Sequence, residues 1–148
     1  MGINATVHNT ISEIQTNHPL DQSYDVSVII PIYNAERYIE NTLDNIAEQS
    51  LKNIEIICVD DGSDDNSKDL IQRKAELDCR IKYYYQHNSG AGIARNTGIK
   101  ASHGKYIAFM DADDSYPDNS VLKLLFEAAD QNNALICGGS AIDENGNL

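Results

Sequence analysis

Basic residues are scarce in this chain: 11 Lys and Arg stand against 23 Asp and Glu, for a formal net charge of −12. Such a surface repels nucleic-acid backbones and anionic membranes. Nucleic acid is therefore not an expected partner, and a nucleotide ligand would need a metal ion or locally placed cations. Cysteines number 3, Cys58, Cys79 and Cys137. They lie far apart with no metal-ligand spacing, and their odd count suits a reducing compartment. Cys58 and Cys137 fall in apolar runs and read as small core residues. No run is long and apolar enough to span a bilayer. The amino terminus lacks the basic-then-apolar layout of a secretion signal. A cytoplasmic location is expected, with peripheral attachment at the inner face of a membrane left open. No Gly-Lys-Ser/Thr run occurs, which excludes a P-loop. The histidines, His8, His18, His87 and His103, show no ligand spacing and receive no role.

What remains is a globular chain of 148 residues with 41% hydrophobic content, enough for one domain. Residues 1–25 are polar and read as an extension, with a short helix through Ile11 and Ile14 stopped by Pro19. The domain is expected over 26–148. Runs rich in β-branched or apolar residues predict strands at about 26–31, 54–59, 81–86, 106–110 and 134–137. Apolar residues at helical spacing predict helices at about 36–49, 68–77, 93–101 and 119–129. Asp64 to Ser67 offer caps for the second helix. Gly104 is expected to close the third in the left-handed conformation. The tail around Asn145-Gly146 reads as a hairpin turn. Strands alternating with helices imply an α/β fold, a mostly parallel sheet covered on both faces by right-handed crossovers.

The strand at 106–110 runs into Asp111-Ala112-Asp113-Asp114. Its apolar composition reads as burial on both faces. If the chain stays extended, Asp111 and Asp113 point to the same side. Two like charges so placed repel, and a divalent cation with oxygen ligands offsets them. The plainer alternative is a polar loop with an N-cap Asp. Asp60-Asp61-Gly62-Ser63 also follows a strand, and a parallel sheet brings both acidic clusters to one edge, where ligands bind in open α/β sheets. Gly90-Ala91-Gly92 precedes a helix, but Arg95 stands where a dinucleotide fingerprint needs its third Gly. The glycines let backbone approach a ligand. Arg95, early in that helix, can bind a phosphate or pair with an Asp. A receiver domain is excluded because Cys137-Gly138-Gly139-Ser140 occupies the place of its lysine.

In order and spacing, these segments resemble the glycosyltransferases of family 2, which have the GT-A fold. Val26-Ser27-Val28-Ile29-Ile30-Pro31-Ile32-Tyr33-Asn34 is similar to that family's opening strand and turn. Asp60-Asp61-Gly62-Ser63 resembles its nucleotide-binding acidic turn. Asn88-Ser89-Gly90 with Ala94-Arg95-Asn96 and Gly98 resembles its loop and following helix, and Asp111-Ala112-Asp113-Asp114 its DxD motif. The resemblance implies a nucleotide-sugar donor, usually a UDP-sugar, with Mg²⁺ or Mn²⁺, and inverting transfer to an acceptor hydroxyl on a glycan or lipid-linked acceptor of bacterial surface-polysaccharide type. By position, Pro31 and Tyr33 would line the base pocket. Asp61, with Asp60 beside it, would meet the uracil or ribose. Arg95 would face the ribose or diphosphate, Asp111 the ribose or metal, and Asp113 the metal. The acceptor half and the general base are expected to lie outside this chain. A homo-oligomer or a completing chain is left open. A binding module without transfer and a nucleotidyltransferase are the competing readings. The second lacks its Gly-rich basic loop after the first strand.

Overall fold

The structure is a computed structural model and describes residues 23–135. Residues 1–22 of the extension expected at 1–25, the strand expected at 134–137 beyond Leu135, Cys137 and the hairpin turn near the C-terminus lie outside the described residues, while Tyr24 and Asp25 already belong to the first strand.

The element order is β1 (Tyr24–Ile32), α1 (Ile39–Ala47), β2 (Ile54–Asp60), α2 (Ser67–Leu77), β3 (Ile81–Tyr85), α3 (Ala91–Ala101), β4 (Gly104–Phe109) and α4 (Val121–Gln131). The strands form one four-stranded sheet in the order β3-β2-β1-β4, with every pairing parallel. Alternation of side chains along β1 and β2 divides the core. Val26, Val28, Ile30 and Ile32, with Ile54, Ile56 and Cys58, face one side, where α1, α2 and α4 supply Ile39, Leu43, Ile46, Leu70, Ile71 and Leu122. Ile29, Ile57 and Val59 face the other side, where α3 supplies Ala94. Both central strands are buried on both faces, hence their unbroken apolar runs.

Three sequence expectations change. Among the described residues β4 lies at the edge of the sheet rather than buried on both faces: Ile107 is 40% and Phe109 50% exposed. α1 begins at Ile39 rather than near residue 36: residues 36–38 form a turn in which Tyr38 N and Ile39 N both donate to the Ala35 carbonyl. Gly104 does not cap α3. The helix stops at Ala101 with Ser102 extended at φ −80° and ψ 146°. Gly104 instead opens β4, where an added Cβ would stand 2.4 Å from the Ser27 backbone nitrogen.

One buried charge lies on the α3 side of the sheet. Glu55 accepts from Ser27 Oγ at 2.6 Å, Lys82 Nζ at 2.7 Å and the His103 N–H at 2.5 Å. Burial alone would raise its carboxyl pKa. The bonds from Lys82, Ser27 and His103 outweigh that and hold it below the ordinary value.

Candidate functional site

Parallel pairing of β2 and β4 on either side of β1 brings the ends carrying Asp60-Asp61 and Asp111-Asp114 to one edge of the sheet. Near the end of β1, Pro31 has no N–H to give; beyond the strand, Tyr33 is exposed and Asn34 takes the left-handed conformation with φ 51°. That turn brings the Asn34 amide to Ser63 Oγ at 3.0 Å and its Oδ1 to the Asp64 N–H at 2.9 Å. Further bonds join Ala35 N to Ser67 Oγ, Glu36 N to Asp65 Oδ2 and Asn66 N to Glu36 Oε2. The loops after β1 and β2 therefore form one rigid rim, their polar backbone groups satisfied by each other's side chains.

The two acids at the end of β2 do different things. Asp60 is the last residue of the strand and faces the side of α1 and α2, where it accepts from Tyr83 Oη at 2.6 Å and Ser63 N at 2.8 Å. Burial and the Asp60 charge raise the Tyr83 hydroxyl above its ordinary pKa. Asp61 alternates to the α3 side and is 3% exposed. Its Oδ1 accepts from Gln86 Nε2 at 2.7 Å and Ser89 N at 2.9 Å, and its Oδ2 from Gly90 N at 2.7 Å. Asp61 also lines a cavity of about 60 Å³ with Pro31, Ile32, Tyr33 and Ala91. Of the expected donor-binding residues, Pro31, Tyr33 and Asp61 thus share one cavity, and Asp60 stands on the far face of the strand. A larger open depression of about 450 Å³ is formed wholly by α2 and the residue before it.

The second acidic cluster is a turn and not an extended segment. β4 ends at Phe109, and Asp114 N donates back to the Asp111 carbonyl at 3.1 Å. Burial, together with the charges of Asp113 and Asp111, raises the Asp114 carboxyl pKa. Arg95, early in α3, donates from Nη2 to Asp111 Oδ1 at 2.6 Å. The start of α3 therefore touches both clusters, through Gly90 at Asp61 and Arg95 at Asp111. The Arg95–Asp111 pair is 35% and 53% exposed. A pair so open contributes at most about 1 kcal/mol, so either partner can turn to an incoming ligand at little cost.

No three His, Cys, Asp or Glu side chains are gathered as a ready metal cage among the described residues. Small hard cations do not require one, since they are commonly held by one or two carboxylates and completed by substrate phosphates. Asp111 and Asp113 fit that pattern in kind and number.

The family profile of glycosyl transferase family 2 matches residues 27–148. The chain belongs to glycosyl transferase family 2. Among its relatives is EpsJ of Bacillus subtilis strain 168, described as an uncharacterized glycosyltransferase. It is 45% identical over 113 residues, which cover 76% of this chain and 33% of EpsJ. The glycosyltransferase GlyA of Streptococcus pneumoniae serotype 4 is 46% identical over 89 residues, covering 60% of this chain and 13% of GlyA. The chain thus spans about a third or less of these relatives. Among solved structures, S. aureus TarS 1–349 in complex with UDP-GlcNAc matches with a TM-score of 0.68 at 32% identity, over 74% of this chain and 32% of that one. The mannosyltransferase PcManGT of Pyrobaculum calidifontis, in complex with GDP-Man and Mn²⁺, matches with a TM-score of 0.61 at 30% identity, over 70% and 32%. These neighbours establish the GT-A-like α/β fold read from the sequence.

Sequence reasoning missed the side chains with which this family 2 chain holds its acidic turn and the segment that follows it. Thr42 Oγ1 donates to the Ala112 carbonyl at 2.8 Å and lies 3.2 Å from that of Asp114. Asn45 exchanges bonds with both N and O of Tyr116 at 2.8 and 3.0 Å. Gln49 donates to the Asp118 carbonyl at 2.9 Å and accepts from Leu122 N at 3.1 Å. The three lie on one stripe of α1 and its C-terminal turn. Their signal was legible: polar residues at i, i+3 and i+7 beside the apolar positions 39, 43 and 46. No helix among the described residues is long and apolar enough to cross a membrane.

Proposed function

We propose that residues 26–148 are the nucleotide-sugar-binding domain of a metal-dependent, inverting glycosyltransferase that passes a sugar from a UDP-sugar to an acceptor hydroxyl. One observation carries this reading: the start of α3 reaches Asp61 through Gly90 N and Asp111 through Arg95, so one helix end contacts both acidic segments at the same edge of the sheet. The fold neighbours in complex with UDP-GlcNAc, and with GDP-Man and Mn²⁺, support the donor class and the metal.

In this reading Pro31, Tyr33 and Asp61 receive the base. Pro31 and Tyr33 give apolar contact, and Asp61 accepts an N–H or a ribose hydroxyl. Asp60 acts at one remove, holding the Asp61 turn through Ser63 N. Arg95, released from its weak pair with Asp111, meets the donor's diphosphate. Asp113 and Asp111 would hold Mg²⁺ or Mn²⁺, which when bound offsets the negative charge that builds on the leaving diphosphate. Asp111, Asp113 and Asp114 repel one another, and a bound cation would offset that repulsion. The acceptor, a glycan or lipid-linked hydroxyl, belongs to the same proposal.

Asp113→Ala tests it. Calorimetry with Mn²⁺ and UDP should show loss of metal-dependent binding while the melting temperature holds, because Asp113 faces a ligand and not the core. Unchanged UDP affinity overturns the assignment.

A further inference from the structure

We propose that Gln86 and Thr97 form a positioning relay that makes the Asp61 site select a pyrimidine with a ring N–H, uracil, over one with a ring-nitrogen acceptor, cytosine. The inference rests on the donor reading above and adds to it the residues that set its choice of base.

Asp61 is fixed from several sides. Its backbone N–H continues the sheet to the Ile32 carbonyl at 2.7 Å. Its Oδ1 takes both Gln86 Nε2 and Ser89 N, and its Oδ2 takes Gly90 N. Two of these donors are backbone amides set by the loop that opens α3. The third is a side-chain amide, which could present either its nitrogen or its oxygen. Thr97, one turn and a half into α3, decides which: Thr97 Oγ1 donates to Gln86 Oε1 at 2.7 Å. With the oxygen occupied there, the nitrogen faces Asp61. Gln86 is itself placed by its own N–H, which donates to the Asp60 carbonyl at 2.9 Å as the last rung beside β3. The relay therefore runs from α3 through β3 to the carboxylate at the end of β2.

The consequence lies in the cavity. A carboxylate only accepts, and each oxygen has more than one lone pair. Oδ1 carries two donors and Oδ2 one, so the capacity left over is directed by where Gln86 pulls Oδ1. A base seated between Pro31, Tyr33 and Ala91 then meets an acceptor at a set place. Uracil offers a ring N–H to that acceptor, and cytosine opposes it with a lone pair. A site that hydrogen-bonds one partner's N–H rejects the analogue lacking it, because the buried acceptor is left unpaired.

The test is calorimetry on the 148-residue chain with Mn²⁺ and either UDP or CDP, with melting curves for each variant. The wild type should prefer UDP. Gln86→Leu, which cannot donate, should weaken UDP by about tenfold, the scale of a bond to a charged group, and leave CDP unchanged. Thr97→Val should lower the UDP to CDP ratio in the same direction, and Thr97→Ser, which restores the hydroxyl, should return it. Loss of fold does not move this ratio, and the Thr97 pair decides the matter if Gln86→Leu fails to fold. An unchanged ratio in folded Gln86→Leu or Thr97→Val overturns the relay alone. A wild-type chain that binds no UDP overturns the donor reading itself, and the relay with it.

Discussion

Replacing Thr42 by Val asks whether α1 serves the acidic turn or only the fold. Thr42 is 3% exposed, and its hydroxyl gives its one proton chiefly to the Ala112 carbonyl at 2.8 Å, in the middle of the Asp111–Asp114 turn. Valine fills the same volume and removes only the donor. A half-buried carbonyl left without its partner costs about 1 kcal/mol, the low end for an unsatisfied group. If that cost fell on stability alone, the melting temperature would drop by roughly 3–4 °C per kcal/mol for a domain of this size. The turn need not keep its bound shape once the tether is gone, however, and part of the cost then appears as weaker holding of the ligand. Each 1.4 kcal/mol or so that moves to binding reads as tenfold in affinity. We expect Thr42→Val to melt lower and to bind UDP with Mn²⁺ several-fold more weakly, and Thr42→Ser to recover binding with its hydroxyl restored. A Thr42→Val protein that melts lower yet keeps wild-type affinity refutes the argument. It would show the turn to be shaped by its own sequence, with α1 a bystander.

Two further predictions concern the sheet beneath the site. Lys82→Met leaves Glu55 buried without its cation and should cost about 3 kcal/mol at neutral pH, the low end for a buried pair because Lys82 is 31% exposed. In the wild type the depressed Glu55 pKa means its contribution is complete above the ordinary value of 4.5 and lost as pH falls through the folded value. In the variant the unpaired charge is relieved by protonation, so urea titrations should show the stability gap narrowing toward acid; a gap constant with pH counts against the pairing. Gly98→Ala would set a Cβ 2.4 Å from Ile29 Cγ2, where α3 lies closest to β1. Overpacking of about 1–3 kcal/mol should outweigh the roughly 1 kcal/mol that Ala gains in a helix, and a more stable variant would show the contact to be loose.

How far the sequence could be read depends on the range of the interaction behind each feature. The central strands were legible because β-branched runs such as Ile54 to Val59 carry their own signal, and alternation with amphipathic helices left a parallel sheet as the economical arrangement. The acidic clusters were legible at strand ends for the same reason. Their geometry was not. Period-two alternation was enough to separate Asp60 from Asp61, yet treating them as one acidic turn hid that the first is spent on Tyr83 and Ser63 while only the second meets the cavity. The Asp111–Asp114 turn is met by the hydroxyl of Thr42, about 70 residues earlier. The bonds that Asp65 and Ser67 make to the turn before α1 come from another loop, and the status of β4 depends on strand order, which nothing within Tyr106 to Phe109 encodes.

These misses share a cause. Local composition sets what an element is, whereas the partners of polar side chains come from other loops of the sheet edge. A polar residue on an otherwise apolar helix face, such as Thr42 or Gln49, must find a partner when buried. That requirement points beyond its own helix: Thr42 meets it at the turn that bears the carboxylates, and Gln49 at the segment that follows, from Asp118 to Leu122. In this fold a buried polar side chain on a helix beside the sheet is thus a pointer to the site, legible before any coordinates are known.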